Sequence, residues 1–171
     1  MKKCPPMPSP ETATPGGDAA DTKVCAGPAP EQGIGSRCAC YNLRRASRAV
    51  TRFYDGMLAP SGLRSTQFSI LAATNTSGPM TMGALAERLA TERTTLTRNL
   101  ALLEAKGFIL SETGQDRREH RIRITPAGRA ALQGAMPHWT AAQEAMRQHL
   151  GQDRLEHILK DLAALTAAAQ G

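Results

Sequence analysis

The stretch from Thr81 to Gly128 limits the possible fold more than any other part of the chain. It opens TMGALAERLATERTTLTRNLALLEAKG and continues FILSETGQDRREHRIRIT. Leu85 and Leu89 recur at helical spacing, and Leu96, Leu100 and Leu103 do so again after a polar turn from Ala90 to Arg93. Gly107 stands where a glycine commonly closes a helix. FILSET, GQDRREH and RIRIT then read as strand, polar turn and strand. Two short helices, a hairpin and a return to helix is the order of a winged helix-turn-helix. The expected class is therefore mainly α (α+β), with a two-stranded wing hairpin and flanking helices. On the second helix Arg93, Thr94, Thr95, Thr97, Arg98 and Asn99 lie off the leucine stripe. Such side chains reach phosphates and base edges, so double-stranded DNA is the leading expected partner. Arg98 is the first choice for a base contact, since a guanidinium can donate two hydrogen bonds to guanine. Arg93 and Asn99 could equally bind phosphate or face water.

Asp116, Arg118, Ile124, Thr125 and Gly128, with TQFSIL at 66–71 and LEAKGFI at 103–109, carry a resemblance to a known family. In this order and spacing they resemble the MarR (multiple antibiotic resistance regulator) transcription factors. The resemblance spans roughly residues 38–169 and leaves the first 35 uncovered. It implies a DNA-binding regulator, expected to act as a repressor that a small molecule, an oxidant or a metal ion releases from its operator. It also implies that Asp116 pairs with an arginine and holds the hairpin in shape. Arg117 and Arg118 at the tip can then enter a narrow minor groove, where the negative potential is enhanced. The bland alternative is that DRRE is a solvated charged turn.

With 171 residues the chain has room for one domain with a core, and a net charge of +6 modestly favours a polyanionic partner. No apolar run approaches the ~20 residues of a membrane span, and no apolar secretory stretch opens the chain. The expected location is the cytoplasm, without a membrane partner. Four cysteines in such a chain argue against a structural disulfide framework. Residues 1–35 hold seven of the eleven prolines and few large apolar side chains. They cannot bury enough surface to offset their ordering entropy, so they are expected to form a disordered tail. Touching DNA, or bringing Cys4 and Cys25 to a metal or redox site, are its other possible roles.

The expected domain is residues 36–171, with flanking helices at 36–59 and 127–170 and the DNA-binding unit at 62–126. Leu43, Ala46, Val50, Phe53 and Met57 make one apolar seam. Leu155, Ile158, Leu162, Leu165 and Ala169 make another, and Leu132, Met136, Trp139, Met146 and Leu150 a third. One small winged helix cannot use all three, which points to a symmetric homodimer and an inverted-repeat operator. The competing possibility is that the seams close within one chain. Pro60 and Gly62 mark a break, Thr66 is expected to cap the helix through Phe68 and Leu71, and Met80–Thr81 reads as a short extended stretch ending in a cap.

Two switches are readable. A small, often aromatic and anionic effector could enter a cleft walled by Phe53, Tyr54, Leu63, Phe68, His138 and Trp139, with Arg64 or His138 near its carboxylate. Each of these residues could also be ordinary core. Alternatively Cys38 and Cys40, at the start of the first helix, could sense oxidants or soft metals. Two positions apart on a regular helix they point to opposite sides, so a disulfide between them needs that turn unwound. They could also be small buried residues. His138, His149 and His157 form no local ligand pair, and no metal or cofactor is expected. No phosphate-cradling glycine loop, zinc-protease helix or nucleophile elbow occurs, so no enzyme is expected. A helical dimeric adaptor that binds only protein would explain the seams but leave the wing unused.

Overall fold

The computed structural model describes residues 34–113 and 120–170. The chain divides into two units, residues 1–38 and 39–171. In the first, Ile34–Arg37 forms a single helical turn, α1. The second begins with the long helix α2, Ala39–Leu58, followed by a 3-10 turn, Ala59–Ser61. Helix α3, Ser65–Ser77, leads into strand β1, Met80–Thr81, and the short helix α4, Met82–Arg88. Helix α5, Arg93–Ala105, precedes strands β2, Ile109–Thr113, and β3, His120–Ile124. Two long helices close the chain, α6 at Pro126–Leu150 and α7 at Gln152–Gln170.

The leucine spacing read from the sequence is what the core uses. Leu85 of α4 and Leu96, Leu100 and Leu103 of α5 are buried against Leu58, Ile70 and Leu71. On the hairpin Ile109, Ile122 and Ile124 are buried while Leu110, Arg121 and Arg123 face outward, the period-two alternation of a sheet with one buried face. β2 and β3 pair antiparallel, Ile109 opposite Ile124 and Glu112 opposite Arg121. On the exposed face Arg123 Nε donates to Glu112 Oε1 at 3.1 Å.

The sheet has three strands rather than the expected two, in the order β1-β3-β2. Met80 pairs with Ile122 and Thr81 with Arg121, so the extended pair ahead of α4 fastens the hairpin stem to the helical half. Two residues are too few to show a period. Thr81 also caps α4, its hydroxyl accepting from Ala84 N at 3.2 Å. The expectation for Thr66 needs correction, because α3 begins one residue earlier, at Ser65. Its start is held from α2, where Asp55 Oδ1 accepts from both Ser65 N and Ser65 Oγ at 2.7 Å. The capping acceptor thus comes from ten residues earlier, which no local motif announces.

Thr125 locks the return from the wing. Its N–H donates to Phe108 O at 3.0 Å and its hydroxyl to Gly107 O at 2.7 Å, while the same hydroxyl accepts from Gly128 N at 2.9 Å. Pro126 then occupies the first turn of α6, where a missing N–H costs nothing. Helix α6 packs on both α2 and α3, with Leu132, Ala135 and Ala142 buried. The two alanines, one heptad apart, allow close approach and were no part of the seam read from larger side chains. Of that seam, Met136 is exposed, and Trp139, Met146 and Leu150 are half-buried.

Candidate DNA-reading face and adjoining cavity

The buried leucines of α5 fix which of its side chains face out. Arg93, Thr94, Thr95, Thr97 and Arg98 are all exposed. The Thr97 hydroxyl donates to Arg93 O at 2.8 Å, which leaves its methyl and remaining oxygen lone pairs for a partner. Arg93 reaches across α4, its Nη2 lying 3.7 Å from where a Cβ on Gly83 would stand. The exposed face therefore carries two guanidiniums about a turn and a half apart, with threonines between them. That is a surface able to hold phosphate and read base edges.

Asn99 belongs elsewhere. It is half-buried, its Nδ2 donates to Thr95 O at 2.9 Å, and its Oδ1 accepts from Thr66 Oγ1 of α3 at 3.4 Å. Of the side chains expected to contact DNA, Asn99 alone among the described ones bonds to α3. A position off the leucine stripe can lie beside the stripe as well as opposite it, and α3 covers that side. Asp116, Arg117 and Arg118 lie outside the described residues.

Behind α5 is a cavity of about 370 Å³ bounded by α2, α3, α5 and α6. Of the residues expected to wall an effector site, Tyr54, Phe68 and Trp139 line this cavity. Phe68 and Trp139 stack with centroids 6.1 Å apart and planes 15° apart. Burial pushes the Tyr54 phenol pKa up, which keeps it a neutral hydroxyl. Phe53, Leu63, Arg64 and His138 do not line this cavity. Phe53 stands edge-on to Tyr54, with ring centroids 5.6 Å apart. Leu63 is core, and exposed Arg64 borders a separate shallow hollow beside Asp55. The expected cation beside a carboxylate is thus not part of the described wall. What sequence reasoning missed is the polar side, Ser65, Thr66, Thr95 and Asn99, residues whose chemistry is that of any solvated helix surface.

Cys38 lies between α1 and α2, outside helical geometry and half-buried, and Cys40 is exposed in the first turn of α2. Among the described residues no group of three or more His, Cys, Asp or Glu could hold a metal ion. None of the described helices is long and apolar enough to cross a membrane.

Comparison with known proteins agrees with this geometry. The MarR family model matches residues 61–119. The chain is similar to the M. tuberculosis transcriptional regulator MosR, at 42% identity over 78% of this chain and 96% of that one, with a TM-score of 0.70. It is also similar to the transcriptional repressor CouR bound to a 23-mer DNA duplex, at 28% identity over 80% of this chain and 97% of that one, TM-score 0.71. An uncharacterized HTH-type transcriptional regulator of Bacillus subtilis, YwoH, is 32% identical over 50% of this chain, and the match spans 62% of its own length. With the winged helix, the outward arginines of α5 and a near full-length relative at this identity, the chain belongs to the MarR family of transcriptional regulators and is not an enzyme.

Proposed function

We propose that the protein is a sequence-specific repressor that binds an inverted-repeat operator as a homodimer in the cytoplasm and is released by an effector. The observation that carries the reading is the exposed Arg93–Arg98 face on a helix whose other side is locked into the core. The similar proteins support it: MosR has been solved in complex with DNA, and CouR both with a DNA duplex and with p-coumaroyl-CoA. Two such helices in a dimer enter successive major grooves, with half-site centres about 10 base pairs apart. A dimer covering a promoter blocks polymerase without further machinery. The deciding experiment mixes the purified protein with fragmented DNA of its own organism at physiological salt and sequences what stays bound. One enriched inverted repeat is expected, and no enrichment over background would point to the protein-only adaptor instead.

On that operator Arg98→Ala should reduce specific binding about 10- to 100-fold, since a bidentate arginine–guanine pair is worth ~1–3 kcal/mol of discrimination, and leave nonspecific binding nearly unchanged. Arg118→Ala should weaken both alike and flatten the salt dependence. Competition titrations with operator and random duplexes measure this. Equal losses for both variants on every sequence would refute the division between base reading and backbone contact.

The thiols support a second release route, because Cys38 already lies outside the helix that would hold two thiols apart. Peroxide could join them, the two thiols losing two protons and two electrons to give a disulfide while the peroxide is reduced to two waters. We expect Cys38→Ser/Cys40→Ser to bind the operator normally and to resist release by peroxide. Unchanged release would end this route.

A further inference from the structure

The cavity behind α5 has an uncharged wall. Its described lining consists of hydroxyls, one amide, one indole and hydrocarbon, with no carboxylate and no basic group. An anion entering it would lose hydration with no counter-charge to replace it. An uncharged aromatic molecule loses less and gains the faces of Phe68 and Trp139. The volume, about 370 Å³, stands at the small end of the ~300–1,000 Å³ typical of small-molecule sites.

The polar side of the wall has one weak point. Thr66 Oγ1 and Asn99 Oδ1 face each other at 3.4 Å, long against the 2.7–2.8 Å usual between oxygens. The neighbouring bonds are tighter. Ser65 is held to Asp55 of α2 at 2.7 Å through both its N and its Oγ, and Asn99 Nδ2 to Thr95 O at 2.9 Å. At this corner α3 is anchored to α2, whereas the side-chain bond from α3 to α5 is loose and opens onto the cavity. Asn99 Oδ1 is therefore an acceptor on the DNA-reading helix that a ligand's donor can capture, and it follows Arg98 directly in sequence.

We propose that the cavity takes an uncharged aromatic molecule bearing a hydrogen-bond donor, and that Asn99 is the positioning residue through which its presence reaches α5. The ligand's donor takes Asn99 Oδ1 from Thr66, and α5 shifts against α3 with Arg93 and Arg98 on it. This rests on reading the cavity as the effector site.

The chain's single tryptophan, Trp139, stands in the wall and reports occupancy. The full-length protein is titrated with 4-hydroxybenzamide and with 4-hydroxybenzoate, then with the matched pair 6-hydroxy-2-naphthamide and 6-hydroxy-2-naphthoate. Calorimetry gives affinity and Trp139 emission gives location. The amides are expected to bind at least tenfold tighter than the carboxylates, to change Trp139 emission saturably, and to weaken operator binding at least tenfold. In Asn99→Leu the better amide should still bind, yet operator affinity with and without it should agree within twofold. Thr66→Val, which leaves Asn99 Oδ1 open to the ligand, should keep the full response. Asn99→Ser serves if the leucine variant does not fold, with the same expectation. Carboxylates binding as tightly as amides would overturn the ligand class while leaving the cavity as effector site. Release persisting in the Asn99 variants would overturn the role of Asn99. No change in Trp139 emission with any of the four compounds up to millimolar concentration would overturn the effector reading and this proposal together.

Discussion

Gly128→Ala should lower unfolding free energy by about 3 kcal/mol, the upper end of what over-packing costs. A Cβ at this position would stand 2.0 Å from Phe108 O and 2.9 Å from Ile124 Cγ1. Neither neighbour can yield. Phe108 O already accepts from Thr125 N, and Ile124 is a buried residue of the central strand β3. To admit a methyl group α6 must lift from the β2–α5 junction, which also stretches the 2.9 Å bond from Gly128 N to Thr125. Gly134, on the same helix, has nothing within 4 Å of its would-be Cβ. Gly134→Ala should therefore stabilise the protein by roughly 0.5–1 kcal/mol, the helix advantage of alanine over glycine. Urea unfolding of the two variants beside the wild type measures both. A Gly128→Ala midpoint equal to that of the wild type would show that α6 does not approach the hairpin this closely. Since Thr125 also ties the end of α5 to the base of the wing, the destabilised variant should lose operator binding at temperatures where Gly134→Ala keeps it.

That glycine shows what kind of information the sequence held. The helices around it and the wing strands were legible because burial imposes a period: leucines at three and four on α4 and α5, isoleucines two apart on β3. Gly128 was legible only as part of a family pattern, because close approach of backbones leaves no periodic trace. The misread features share one cause, in that each depends on a neighbour distant in the chain. Asp55 caps α3 from another helix, β1 becomes a strand only because β3 pairs with it, and Ala135 and Ala142 matter only because α6 is packed against its neighbours, α2 and α3 among them. Asn99 has the composition of a DNA contact and the environment of a cavity wall. Arg64 and His138 were chosen for charge near a presumed carboxylate, and the fold places them outside the cavity that Tyr54, Phe68 and Trp139 enclose. Local pattern thus located the exposed face of α5, while the residues behind that face needed the packing of α2 and α3.

The apolar surface left on the two outer helices sets up the second large effect. Leu159, Leu162 and Leu165 of α7 are 56%, 40% and 46% exposed, and on α2 Leu43 and Val50 are 37% and 42% exposed. A row of leucines in water gains ~1.5–3 kcal/mol for each side chain fully covered. In the proposed dimer the second subunit covers them. Leu159→Asp/Leu165→Asp should then leave each chain folded, since surface substitutions away from packed neighbours usually shift stability by less than ~0.5 kcal/mol. The variant should sediment as a monomer at micromolar concentration where the wild type sediments as a dimer. Operator affinity should fall at least 100-fold, because a second recognition helix no longer arrives already tethered to the first, a gain of order 10²–10⁴ in avidity. The control is binding to a single half-site, which one chain engages alone and which the double substitution should leave within threefold of the wild type. If the variant stayed dimeric, α7 would be excluded as the joint between subunits. If it became monomeric yet kept full operator affinity, reading of the operator would not depend on paired helices, and the inverted repeat would lose its physical basis.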